Sequence, residues 1–235
     1  MTLRAQVLAS PTDQHKADHM SSVPFPNTIA TVDQLADHYR APSDLVLQKD
    51  IDHIDEGAAA FIAGSTFVLI GTSAATGEGD VSPKGGDPGF VRVLDDKRLV
   101  IPDLNGNNRI DSIRNIVTNS HIGLLFLVPE RLETLRVNGR AWISVDDELL
   151  DSFTDQYRRP TSAICVEVTD AFIHCGKCVR RGGLWDPESW GSNGTVPSSG
   201  TLLIAHAGID DIDAAELDER LPEGYARDLT ADRPL

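Results

Sequence analysis

The spacing of hydrophobic residues changes along the chain, and it predicts helices first and strands later. Thr31 and Gln34 have the spacing of a capping box, and apolar residues follow them at helical intervals. A second helix is predicted over residues 50–63, where apolar side chains recur every three or four positions until Gly64. Two helices are therefore predicted between residues 31 and 63, after an arm of little periodicity over residues 1–28.

From residue 65 onwards the pattern favours β-structure. Six segments are short, apolar or alternating, and rich in β-branched residues, as strands are: residues 65–71, 90–94, 98–101, 121–128, 132–145 and 162–173. Further helices are predicted over residues 108–118, 146–153 and 214–221, and residues 186–200 are predicted to be a loop. Because strands and helices do not alternate regularly, this order favours a mostly antiparallel barrel or α+β domain over a doubly wound sheet.

One predicted strand contains a turn signal. Asn138-Gly139 lies inside residues 132–145, and this dipeptide is typical of a two-residue hairpin. The flanking residues alternate only moderately, so one long strand with a bulge at Gly139 is an equally serious interpretation.

Composition excludes some classes of partner. The 235 residues carry a formal net charge of −15, which argues against a general nucleic-acid binder or a binder of anionic membranes. No apolar run approaches the roughly 20 residues that span a bilayer. The polar N-terminal segment does not look like a signal peptide, and three cysteines do not make a disulfide framework. A cytoplasmic protein is the expectation.

Two polar loops carry cations that can hold a phosphate. Residues 80–86 are predicted to be a Gly-rich loop in which Ser82 offers a hydroxyl and Lys84 a positive charge. The spacing is not that of a P-loop, and an ordinary polar hairpin loop is the alternative.

The second loop leads into the helix predicted over residues 108–118. Asn107, Asn108, Arg109 and Ser112 lie at its start, where free N–H groups and the helix dipole favour a phosphate. The alternative is that an asparagine only caps the helix and that Arg109 is a solvated side chain.

Cys175 and Cys178 form a C-x-x-C motif. A structural zinc site needs about four nitrogen or sulfur ligands, and the second cysteine pair that would supply them is missing, so no metal is predicted. A redox-active pair and an incidental pair of thiols both remain open. Just beyond, Arg181 and Trp185 either flank a planar anionic ligand or are a solvated arginine and a core tryptophan.

Several motifs in a fixed order resemble the pyridoxamine 5′-phosphate oxidase-like flavoproteins, and more narrowly their poorly characterised bacterial branch. The resemblance covers roughly residues 30–225. Its motifs are Gly71-Thr72, Asp80-Val81-Ser82-Pro83-Lys84-Gly85, Ile101-Pro102-Asp103, Gly106-Asn107-Asn108-Arg109-Ile110-Asp111-Ser112, Glu133-Thr134-Leu135-Arg136-Val137-Asn138-Gly139, His174-Cys175-x-Lys177 and Leu184-Trp185-Asp186-Pro187.

This resemblance implies a six-stranded, antiparallel, Greek-key-like split β-barrel that forms a homodimer with FMN in the clefts between subunits. It places Ser82 and Lys84 near the flavin ring or its ribityl-phosphate arm. It places the phosphate at Asn107, Asn108, Arg109 and Ser112. The strand that contains Arg136 then lines the cleft from the partner chain, while Lys177, Arg181 and Trp185 close its far side. The resemblance also favours one long strand through Asn138-Gly139.

The function that the resemblance implies is an FMN-dependent oxidoreductase that transfers a hydride through flavin N5 to or from a small molecule. The alternatives are a flavin-binding or sensing protein without turnover and a reductase dependent on the deazaflavin F420; a haem ligand would require a histidine that the sequence does not single out. The C-terminal motif with which true pyridoxamine phosphate oxidases grip the substrate phosphate is missing.

The domain organisation predicted from these patterns has three parts. Residues 1–28 are an N-terminal arm, residues 29–225 are a single FMN-binding domain, and residues 226–235 are a solvated C-terminal tail.

Overall fold

The computed structural model of the protein describes residues 25–191 and 193–234. The chain divides into two compact units, Met1–Asp44 and Leu45–Leu235. Most of the predicted N-terminal arm therefore lies outside the described residues. In the first unit the capping-box bonds form, because Gln34 Oε1 accepts from Thr31 N at 3.2 Å and Thr31 Oγ1 accepts from Gln34 N at 3.4 Å. The helix that follows is a 3-10 turn, Asp33–Asp37, rather than an α-helix.

Seven strands and seven α-helices make up most of the remaining structure of the described residues. The strands are β1 (Phe67–Ser73), β2 (Gly79–Gly85), β3 (Arg92–Val93), β4 (Arg98–Pro102), β5 (His121–Leu127), β6 (Thr134–Ser144) and β7 (Ala163–His174). The helices are α1 (Asp44–Gln48), α2 (Glu56–Gly64), α3 (Asp111–Thr118), α4 (Asp147–Asp151), α5 (Lys177–Arg181), α6 (Ser199–Ala207) and α7 (Ala214–Ala231). Three more 3-10 turns are Ser152–Asp155, Pro187–Ser189 and Asn193–Thr195.

The strands form one antiparallel sheet in the order β2-β1-β5-β6-β7-β4-β3. The two end strands of this sheet, β2 and β3, are not paired with each other among the described residues, which gives the open arrangement of a split barrel. The prediction of a mostly β, antiparallel fold with flanking helices is confirmed. The predicted count of six strands is wrong by one, because the segment predicted to be a Gly-rich loop is strand β2. It pairs with the free edge of β1 over seven residues.

The core lies between the inner face of the sheet and helix α2. Along β5 the buried positions alternate with partly exposed ones, so Ile122, Leu124 and Phe126 point inwards. Ile62 of α2 is fully buried against this face. Helix α2 begins at its N-cap Asp55, whose carboxylate accepts from Ala58 N at 2.7 Å. It therefore starts later than the predicted residue 50.

Strand β6 is continuous through Asn138-Gly139, so the hairpin interpretation is wrong and the bulged-strand interpretation is confirmed. Its register against β7 shifts between Asn138 and Gly139. Because β6 pairs with β5 on one side and β7 on the other, a reversal of the chain at these residues would break both ladders. Asn138 Nδ2 also donates to Asp170 Oδ1 at 2.8 Å, which anchors the bulge to β7.

The C-terminal region contains more helix than the pattern predicts. Helix α6 begins within the segment predicted to be a loop and ends at Gly208, whose φ of 64° is left-handed. Helix α7 begins where predicted but continues to Ala231, through Pro222 and into the predicted tail. Within residues 25–191 and 193–234, the helices are too short or too polar to cross a membrane. The predicted division into three parts stays a prediction.

Candidate functional site

An open groove of about 820 Å³ lies between β2, the start of α3 and the C-terminal helix α7. Its volume is in the range of known ligand and cofactor pockets. Six of the ten predicted site residues line this groove or the smaller cleft that shares its walls, namely Ser82, Lys84, Asn107, Asn108, Arg109 and Ser112. We call this surface the β2–α3 groove.

Ser82 and Lys84 lie on strand β2 rather than in a loop. Their cross-strand neighbours on β1 are Ile70 and Val68, which belong to the core. Because residues paired across a sheet share a face, both polar side chains point to the core side of the sheet, at its unpaired edge. Lys84 Nζ lies 3.1 Å from Asp103 Oδ1, and its side chain is 27% exposed. The edge position leaves room for a ligand beside these residues.

Gly86, the second glycine after Lys84, allows close packing. A Cβ on Gly86 would lie 2.7 Å from the Phe90 ring and 2.7 Å from the Tyr157 hydroxyl. Tyr157 Oη accepts from Asp87 N at 2.7 Å, and burial raises the pKa of this phenol. The contacts of Gly86 are therefore with the core of the protein.

The phosphate-binding loop that was predicted begins as an Asx turn. Asn107 Oδ1 accepts from Arg109 N at 2.9 Å, and Asn108 has a left-handed φ of 58°. The helix itself begins at Asp111, with Ile110 as its N-cap, so the predicted start at residue 108 is three residues early. Ile110 has no side chain that can cap the helix, so it leaves the first N–H groups of α3 without a side-chain acceptor at that position.

Arg109 extends from this turn into solvent. Its side chain is 79% exposed, and its Nε lies 2.5 Å from Asp111 Oδ2. The hydrogen bond to Asp111 raises the pKa of the guanidinium, and the charge of Asp80 contributes in the same direction. Ser112 is buried, and its Oγ donates to Asp80 Oδ2 at 3.2 Å.

The groove carries more negative than positive charge. Lys84 and Arg109 face four carboxylates in the walls of the groove and its adjoining cleft, those of Asp80, Asp103, Asp111 and Asp228. A phosphate can bind here if the two cations exchange carboxylate partners for phosphate oxygens. The high exposure of Arg109 permits that exchange, and the hydroxyls, amides and helix N–H groups supply further donors. The residues therefore fit a single phosphate at the start of α3.

Helix α7 supplies a wall of the groove that the sequence reasoning missed. Tyr225, Asp228 and Leu229 line it. Two contacts of Asp232 fasten the end of the helix: its Oδ1 accepts from Asn105 N at 2.9 Å, and its carbonyl oxygen accepts from Arg158 N at 2.6 Å. The sequence does contain a helix pattern here, because leucine or tyrosine occurs at every fourth residue from 217 to 229. Pro222 lies within this pattern and predicts a break in the helix.

Arg136 lies away from the groove, on the outer face of the sheet. Its guanidinium carbon is 3.9 Å from the centre of the Phe172 ring, and its Nε is buried with no hydrogen-bond partner among the described residues. Burial lowers the pKa of nearby His174, with further contributions from the charges of Arg136 and Lys49. One cross-strand row crosses the outer face, consisting of Pro83, Leu69, Leu125, Arg136 and Phe172.

The other three predicted residues follow the end of β7. Lys177 and Arg181 are the first and last residues of α5. Trp185 donates its indole N–H to the carbonyl oxygen of Arg131 at 2.7 Å. None of these three, nor Arg136, lines the β2–α3 groove. The structure therefore brings together six predicted residues in one groove and places four elsewhere.

Comparisons with known proteins point to a family for this chain. The family model described as pyridoxamine 5′-phosphate oxidase matches residues 54–175, a little over half of the chain. No curated protein matches the sequence. A solved structure of HupZ from Group A Streptococcus is 23% identical and has a TM-score of 0.42; the alignment covers 51% of this chain and 93% of that one.

Two further structures show the range of similar proteins. An F420 reductase is 17% identical, with a TM-score of 0.38, and the alignment covers 50% of this chain and 98% of the reductase. HutZ, a heme storage protein from Vibrio cholerae, is 12% identical, with a TM-score of 0.37. The alignment covers 52% of this chain and 94% of HutZ. These similarities are too distant to identify a ligand.

Proposed function

Because this chain belongs to the pyridoxamine 5′-phosphate oxidase family, we propose that it is an FMN-dependent oxidoreductase acting on a small molecule. The observation that carries the proposal is the convergence of Ser82, Lys84, Arg109 and Ser112 on one groove beside the start of α3. When bound, FMN supplies hydride transfer through its N5 atom. The protein supplies binding, orientation and charge.

The two ends of the groove have different tasks in this proposal. Arg109, Ser112 and the free N–H groups at the start of α3 hold the phosphate, with Asn107 and Asn108 shaping the turn. Further along β2, Ser82 donates a hydrogen bond towards the ring or ribityl arm, and Lys84 places a positive charge there. Apolar groups on the groove walls, among them those of Phe90, Pro102, Leu104 and Leu229, exclude water from the planar ring.

We propose that a second copy of the chain completes each site. Arg136 and the row of half-buried apolar residues beside it lie on the outer face of the sheet, where Phe67 remains 40% exposed. A homodimer formed through this face brings Arg136 of the partner subunit towards the groove. Lys177, Arg181 and Trp185 of the partner subunit then close it. The buried Nε of Arg136 obtains a partner in that arrangement.

The decisive experiment combines a spectrum with a titration. We expect the purified chain to bind FMN with one site per chain, to sediment as a dimer, and to show a reducible flavin spectrum. Anaerobic mixing with NADPH, NADH or reduced F420 tests hydride transfer. Reduction by one of these donors supports an oxidoreductase, and FMN binding without reduction by any of them supports a binding or sensing protein. A chain that takes up no FMN refutes both.

Asp111→Asn is expected to tighten FMN binding about threefold, because an exposed ion pair has only a modest strength and its loss frees Arg109 for phosphate. Fluorescence quenching of FMN during titration measures the change. Asp95→Asn is the matched control, since Asp95 pairs with Arg98, neither residue lines the groove or its adjoining cleft, and the loss of this pair is expected to leave FMN binding unchanged. Weaker binding of FMN by the Asp111 variant would contradict a phosphate contact at Arg109.

A further inference from the structure

Cys175 and Cys178 lie at the start of α5, and both are exposed. Gly176 is the N-cap of the helix and Lys177 its first residue, so Cys175 lies just before the helix and Cys178 is its second residue. Two cysteines separated by two residues are the arrangement found in thiol–disulfide redox motifs, in which the disulfide holds the two Cβ atoms about 3.5–4.5 Å apart. The spacing therefore suits a disulfide within the chain.

Contacts that do not involve sulfur hold this turn in place. A Cβ on Gly176 would lie 2.5 Å from Leu132 Cβ, so the backbone at the N-cap packs tightly against the segment before β6. The carbonyl oxygen of Gly176 accepts from Arg180 N at 2.9 Å, and Val179 is buried. These contacts hold the turn without a bond between the two sulfur atoms.

Helix α5, which carries Cys178, is cationic in a chain with a charge of −15, because three of its five residues are lysine or arginine. Lys177, Arg180 and Arg181 lie within three residues of Cys178, and none of the ion pairs in the part of the chain that the structure describes includes them. Local positive charge attracts anionic reactants and raises their rate of encounter, most strongly at low ionic strength. The site therefore favours a negatively charged co-reactant over a positively charged one.

The third cysteine provides an internal reference. Cys165 lies in the middle of β7 and is only partly exposed. Burial raises the pKa of its thiol, so less of the reactive thiolate is present at neutral pH. Cys165 therefore reports how a less accessible, less reactive thiol of the same chain behaves under the same conditions.

From this geometry we propose that Cys175 and Cys178 are a thiol–disulfide exchange site for anionic low-molecular-weight disulfides. One thiolate attacks a sulfur of the small disulfide, forming a mixed disulfide and releasing one small thiolate. The second cysteine then attacks the protein sulfur of the mixed disulfide. This step forms the Cys175–Cys178 bond and releases the second small thiolate. The two protons of the cysteine thiols pass to the released thiolates, the protein dithiol is oxidised, and the small disulfide is reduced.

Mass spectrometry of the whole chain tests the proposal, with glutathione disulfide as the anionic probe and cystamine as the cationic one. We expect the reduced chain to lose two hydrogen atoms and to keep no glutathione. Peptide mapping should place the bond between Cys175 and Cys178. Cys175→Ser and Cys178→Ser should each stop at a mixed disulfide with one glutathione, while Cys165→Ser should behave as the unchanged chain does.

A comparison of reaction rates tests the role of the positive charge beside the cysteines. We compare the rate with glutathione disulfide to the rate with cystamine at low salt, and we expect Arg180→Gln to lower this ratio about threefold. An unchanged chain that stops at the mixed disulfide, or a rate ratio insensitive to both the substitution and added salt, would overturn the proposal. The exchange needs no flavin, and FMN binding is read separately from its absorbance, so the two proposals fail independently.

Discussion

Replacing both Lys84 and Arg109 with alanine is expected to weaken FMN binding at least about 100-fold, because each replacement removes a charge-assisted hydrogen bond to the cofactor. Both side chains now pair with carboxylates, Lys84 with Asp103 and Arg109 with Asp111. In the double variant the groove keeps its carboxylates and loses both cations. The affinity for FMN should therefore fall for two reasons: the cations that bind the phosphate are gone, and the remaining carboxylates repel it.

Titration of FMN at low and high salt measures this effect. Arg109→Ala alone should flatten the dependence of affinity on salt, because that residue holds the phosphate. Lys84→Ala alone should also move the reduction potential of bound FMN. Lys97→Ala combined with Arg114→Ala is the matched control: Lys97 pairs with Asp52, and Arg114 is an exposed residue of α3 that does not line the groove. Equal losses of affinity in the double variant and the control would rule out a specific role for the two groove cations.

The elements with strong local patterns were predictable from the sequence. Strand β5 is a short apolar run closed by Pro129 in the sequence, and its ends lie within one residue of the prediction. Strand β2 was missed because Gly, Ser, Pro and Lys have weak strand propensity, and only pairing with β1 over seven residues makes this segment a strand. The residue types at Ser82 and Lys84 indicated a binding site, whereas the secondary structure that presents them depends on a tertiary contact.

The charges of the groove could not be predicted from local sequence. Asp103 is 19 positions from Lys84, and Asp228 comes from a helix more than a hundred residues after Arg109. Their effect on a phosphate depends on folding that brings distant segments together. Tyr225 was missed for a related reason, since Pro222 predicts a break whereas α7 continues through it. Pattern reasoning found the donors of the groove and missed the acids and the aromatic ring that surround them.

Gly139→Ala is expected to lower the free energy of unfolding by about 3 kcal/mol, at the upper end of the usual cost of overpacking. An added Cβ at this bulge would overlap the carbonyl oxygen of Glu167 on β7 and lie 3.1 Å from a methyl group of Val166. Both neighbours belong to the strand that pairs with β6, so relief requires separation of the two strands. This glycine therefore explains why a turn-like dipeptide lies in the middle of a continuous strand.

Thermal unfolding followed by circular dichroism measures the effect, which corresponds to a fall in Tm of about 6–12 °C for a chain of this size. Gly79→Ala is the control, since it also lies in a strand and an added Cβ there meets no atom within 4 Å. It is expected to change the Tm little. A Gly139→Ala variant as stable as the control would mean that β6 and β7 can part locally at low cost. The contact between Arg136 on β6 and Phe172 on β7 would then not be held rigidly. The proposed position of Arg136 beside the partner subunit's groove would lose its support.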